Sequence, residues 1–117
     1  MLIRLKCAYE KADPSDDKRI LVERLWPRGL KKEDAKIDEW LKDVAPSTEL
    51  RKWNSHDPKK WRKVKKRYWK ELDLKMDMLS ALCKENKDRK VTFIFSSKEE
   101  KLNNAAALKE YIETIVK

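Results

Sequence analysis

Gly29 is the only glycine in the 117 residues. Phosphate-cradling loops need several glycines at fixed spacing, so they are excluded. Cysteine occurs twice, as Cys7 and Cys83, far apart and in no Cys-x-x-Cys pair, and His56 is the only histidine. One imidazole and two distant thiols make no ligand set, so neither a metal site nor a cofactor is expected. No serine lies in a nucleophile-elbow motif. No stretch approaches the ~20 apolar residues of a membrane span, and no charged-then-apolar segment opens the sequence. The expectation is a cytoplasmic protein with reduced thiols and no membrane partner.

What is present suits one soluble domain spanning 1–117: 40% hydrophobic residues, five tryptophans and 44% charged residues. Thirty Lys and Arg against 21 Asp and Glu leave a net charge of +9. That excess favours acidic partners in general, and it also keeps small proteins in solution.

Alternation from Leu2 to Tyr9 predicts a first strand with one buried face. A polar loop over 10–18 is marked by Asp13-Pro14, and Arg19 to Leu25 reads as a second strand whose Ile20-Leu21-Val22 run suits burial on both faces. That loop is short for a crossover helix, so the pairing of these two strands stays open. Helical spacing of Ile37, Trp40, Leu41 and Val44 predicts a helix from Lys31 to Val44. Ser47 suits the N-cap of a short helix ending at Trp53, and Asp57-Pro58 starts a long helix on Trp61, Val64, Tyr68 and Leu72. A further helix over 75–86 and a strand over Val91–Phe95 follow. The last helix starts from a Ser97/Glu100 capping box or one turn later, near Leu102. The fold class expected is α/β: a short, largely parallel sheet of three to four strands flanked by helices.

Residues 23–30, Glu-Arg-Leu-Trp-Pro-Arg-Gly-Leu, mark where the second strand stops. Pro27 fixes its own φ, and Gly29 supplies positive φ or a close backbone approach. This block, Trp40 to Trp53 (Trp-Leu-Lys-Asp-Val-Ala-Pro-Ser-Thr-Glu-Leu-Arg-Lys-Trp), His56-Asp57-Pro58 with Trp61, Lys98-Glu99-Glu100 and Asn103-Asn104-Ala105 together resemble the YeaO-like family of uncharacterised bacterial and archaeal proteins. The resemblance covers nearly the whole chain and implies a small α/β fold with no established reaction. Family members commonly carry Asp and His where this chain has Glu99 and Leu102. More distant relatives carry a Cys-His-Arg triplet near Asn103 to Ala105, where this chain has neither thiol nor imidazole.

Two binding surfaces compete. Arg24 and Arg28 would present fork-shaped donors to a small anion, phosphate- or carboxylate-bearing or nucleotide-like, beyond the strand ends. Ser97 and Lys98 would orient it, Asn103 and Asn104 would add amides, and Trp26 could wall the pocket. The alternative for each arginine is a structural pairing with an acid such as Glu49 or Asp43, and for Trp26 it is core packing. His56 can act as a general acid or base, or simply pack at the helix entry. The second surface is the helix from Lys59 to Lys70, with eight basic residues and no acid. Lys59, Lys63, Lys66 and Lys70 share one face that could follow nucleic acid, with Trp69 stacking a base. A solvated outer face is the plainer reading. Oligomeric state leaves no mark in the sequence.

Overall fold

In the computed structural model, which describes residues 1–53, 58–97 and 102–115, the strands are β1 (Leu2–Cys7), β2 (Lys18–Leu21), β3 (Glu39–Trp40) and β4 (Lys90–Phe95). They form one sheet in the order β1-β4-β2-β3, and every pairing is parallel. β1 and β2 are not paired with each other, because β4 lies between them. The register of β4 is defined on both sides: Phe93 sits opposite Leu5 and Ile20.

The helices are α1 (Lys32–Ala35), α2 (Thr48–Trp53), α3 (Pro58–Asp73), α4 (Met76–Glu85) and α5 (Asn104–Ile115). Strand alternation divides the side chains between two faces. Ile3, Ile20, Val22, Val91, Phe93 and Phe95 pack on Val64, Tyr68 and Leu72 of α3, Leu79 and Leu82 of α4, and Leu108 and Ile112 of α5. Leu21 and Ile94 point the other way, into a smaller cluster with Ala8, Trp26, Leu30, Ile37 and Trp40. Among the described residues, no helix is long and apolar enough to cross a membrane.

The α/β class and parallel sheet match expectation, and so do the strand at Val91–Phe95 and the helix over 76–85. Ser47 caps α2 as expected, its hydroxyl accepting from Leu50 N at 3.2 Å. Pro58 is the first residue of α3, whereas Asp57 lies outside the described residues.

Two elements differ, and the start of α5 is decided between its two expected positions. The helix expected over Lys31 to Val44 is a single turn, α1, followed by the edge strand β3 and a 3-10 turn at Lys42–Val44. Lys36 enters the left-handed region at φ 49° and ends α1. The Asp38 carboxylate then accepts from Arg19 N at 2.7 Å, which holds the following residues beside β2. Backbone pairing with the open edge of β2 outweighs the helical spacing. β2 itself ends at Leu21, not Leu25, with one further rung from Val22 N to Ile94 O at 3.2 Å. α5 starts at Asn104, the later of the two starts, and Asn103 Oδ1 caps it by accepting from Ala106 N at 2.9 Å.

Candidate functional site

Beyond the carboxyl ends of β2 and β4 the chain opens a cleft of about 560 Å³. In parallel sheets this is where ligands bind, because the connecting segments diverge there. Glu23, Ser96, Ser97, Asn103 and Asn104 line its sheet side, and Leu50, Arg51, Trp61, Val64 and Tyr68 belong to the helical wall. Pro46, Thr48, Lys52 and Lys65 complete the lining.

Neighbouring strand ends aim these groups. Glu23 leaves β2 directly opposite Ser96, whose backbone N–H and hydroxyl donate to Glu23 Oε1 at 3.0 and 3.4 Å. Asn104 donates its side-chain amide to Val22 O at 2.8 Å, tying the start of α5 to the end of β2. On the far wall, Tyr68 is buried and donates to Val44 O at 2.5 Å. Glu71 accepts from Ser47 N at 2.9 Å and from Ser47 Oγ at 2.6 Å, which fixes the start of α2 against α3.

Burial raises the Glu23 carboxyl above its ordinary range, and the Ser96 donors and the Arg51 charge offset this only in part. Burial likewise pushes the Tyr68 phenol well above its usual value, with the nearby Glu23 and Glu71 charges adding to it. Among the described residues no basic group lies within ion-pair distance of Glu23.

The residues singled out from the sequence divide. Ser97, Asn103 and Asn104 meet in the cleft. Arg24, Trp26 and Arg28 do not line it. Arg24 donates to Pro46 O and Ala45 O, both at 3.3 Å, so it holds backbone carbonyls and no acid. Trp26 packs edge-on against Trp40 at 5.5 Å, with its ring N–H on Leu30 O at 2.6 Å. Arg28 is exposed on the turn, where its carbonyl accepts from Tyr9 at 2.9 Å. Residues 24–30 therefore swing across the smaller face of the sheet. The reason is that β2 stops at Leu21, and the Glu23 carbonyl is held by the Trp40 ring N–H at 2.7 Å. Gly29 takes positive φ, 76°, with open space where a side chain would begin. Lys98 and His56 lie outside the described residues.

On α3, Lys59, Lys63, Lys66 and Lys70 all stand on the exposed side. Trp69 is turned inward: its ring N–H donates to Ala107 O at 3.0 Å and its face meets Tyr111 edge-on at 5.6 Å. The ring is used inside the fold and is not presented for base stacking. Sequence reasoning overlooks Glu23, although it opens the 23–30 block, while Trp61, read as core, packs against the core and also lines the cleft. Arg51, also in the lining, is not singled out by the sequence either.

A family model described as the inactive DUF488-N3 subclade matches residues 2–117. The chain belongs to this subclade. The uncharacterised protein YeaO of Escherichia coli K12 is 36% identical over 115 residues, which is 98% of this chain and 100% of that protein. Uncharacterised proteins of Mycobacterium tuberculosis H37Rv and Mycobacterium bovis are 46% identical over 70 residues, 60% of this chain. That aligned stretch spans 59% of the mycobacterial proteins' own length. No solved structure matches. Membership of the subclade agrees with the resemblance carried by the 23–30 and 40–53 blocks.

Proposed function

We propose that this chain is a cytoplasmic binding domain without a reaction of its own, taking a small anionic ligand in the cleft beyond β2 and β4. The observation that carries this reading is the cleft itself: about 560 Å³ at the ends of the two central strands, with Arg51, Lys52 and Lys65 in its lining. Thr48, Ser96, Ser97, Asn103 and Asn104 add uncharged polar surface to the same lining. The description of the subclade as inactive supports binding over catalysis.

In this reading Arg51 takes the role that the sequence suggested for Arg28. A charge-assisted hydrogen bond contributes about 1.5–3 kcal/mol, so Arg51→Ala should weaken binding of a nucleotide or dicarboxylate roughly ten- to a hundredfold. Arg28→Ala, outside the cleft, should leave binding unchanged. Calorimetric titration of both variants tests the proposal. Equal affinities of Arg51→Ala and wild type, or no binding of either probe class at millimolar concentration, would overturn it.

The exposed lysine face of α3 supports a second reading, nonspecific attraction to a polynucleotide.

A further inference from the structure

Glu23 sits oddly in a cleft suited to anions. It is the one acid among the described lining residues, and both described donors to it, Ser96 N and Ser96 Oγ, fall on the same oxygen, Oε1. No described basic side chain comes within ion-pair distance. A partly desolvated carboxylate with no described cation beside it is unfavourable, and burial accordingly raises this carboxyl above its ordinary range. Holding the Ser96 backbone does not require the charge, since a glutamine carbonyl would accept the same two hydrogen bonds. What a carboxylate adds is affinity for a positively charged or strongly polarised N–H group. Such a group would also remove the burial penalty.

The other components are arranged around it. Leu50, Trp61 and Val64 supply apolar wall, while Arg51 and Lys52 supply cations. Arg51 acts on Glu23 only at longer range, so its guanidinium remains suited to a separate anionic group. Lys65 is shared with Glu110 at 3.2 Å.

We infer that Glu23 is the specificity-determining group of this cleft, selecting anions that also carry a nitrogen-bound hydrogen donor, an ammonium or the amino edge of a base. The inference rests on the proposed anion-binding reading and narrows it to amphoteric ligands. Two chemical sources supply that combination, amino acids and amino-bearing nucleotides.

Two matched probe pairs separate the sources. Glutamate and glutarate differ only in the α-amino group, and GMP and IMP differ only in the exocyclic amine. Wild-type protein should bind one amino-bearing probe at least about tenfold tighter than its partner, and the pair that shows the ratio identifies the source. Glu23→Gln should bring that ratio close to one while keeping the affinity for glutarate or IMP. The wild-type ratio needs no variant, so it stands even if Glu23→Gln folds poorly. Equal binding within both pairs would overturn the inference and leave the anion reading intact, as would an unchanged ratio in a folded Glu23→Gln. Failure of all four probes to bind at millimolar concentration would overturn both.

Discussion

The Asp16 carboxylate meets the Arg19 guanidinium at 2.6 Å with both side chains almost entirely shielded from water. Around this pair, Lys6 reaches Asp16 at 3.0 Å, Arg19 Nε donates to Ala35 O at 3.0 Å, and the Thr92 hydroxyl donates to Asp16 O at 2.7 Å. The network pins the connection between β1 and β2 across the sheet. Removing one partner leaves a buried charge, so Asp16→Ala should cost about 3–5 kcal/mol in denaturant unfolding. Burial alone would raise the Asp16 carboxyl, but hydrogen bonds from Asp13, Lys6 and Arg19 together lower it. Its contribution is therefore present above the ordinary aspartate value of about 3.9 and lost as pH falls through the lowered one. In Asp16→Ala the acid limb of the stability curve should be correspondingly shallower.

Glu23 should behave with the opposite sign. Its carboxyl is raised, so the folded state holds the proton more tightly, and stability declines as pH rises from the ordinary glutamate value of about 4.3 through the raised one. Glu23→Gln keeps an acceptor for Ser96 and removes the charge. Its melting temperature at pH 7 should equal or exceed that of wild type, with the difference vanishing near pH 4. A variant that melts well below wild type at pH 7 would show that the charge holds the fold together.

Gly29 tests backbone geometry in isolation. With φ at 76° and no atom within 4 Å of an added Cβ, Gly29→Val meets strain and no clash. The expected loss is about 1 kcal/mol or more, and Gly29→Asn should lose less because asparagine tolerates the left-handed region. Thermal melts of the two variants check the order.

The lysine face of α3 makes a separate prediction. Binding to a generic DNA or RNA duplex should be weak, with Kd around 10⁻⁴ to 10⁻⁶ M at physiological salt, and should fall steeply as salt rises. Changing Lys59, Lys63, Lys66 and Lys70 to Gln should flatten the salt slope by about one unit for each phosphate no longer neutralised. Submicromolar binding at physiological salt that disappears in this variant would favour the polynucleotide reading over the cleft.

The parts legible from sequence are those whose own side chains decide the outcome. Val91–Phe95 is β-branched and aromatic throughout, and Ser47 and Pro58 mark helix starts by local chemistry. The segment over 31–44 is not legible, because its fate depends on Arg19 binding Asp38 and on the free edge of β2, both remote in sequence. The candidate site divides the same way. Ser97, Asn103 and Asn104 follow the most recognisable strand and so reach the cleft with it. Arg24 and Arg28 are expected there only if β2 runs on to Leu25, and it ends at Leu21. Where the strand stops decides which residue of the 23–30 block looks into the cleft, and that residue is Glu23.

The position of β4 bears on how the protein is made. Its partners on either side, β1 and β2, lie more than 60 residues earlier in the chain and have no pairing with each other. A nascent chain that has emerged only as far as α4 therefore has no central strand on which to build the sheet. Until residues 90–95 leave the ribosome, Leu2–Cys7 has no strand partner and Lys18–Leu21 has only the two-residue β3. Such long-range pairing slows folding and lengthens exposure to wrong partners, so this domain should fold after synthesis of β4 and draw on chaperones before then.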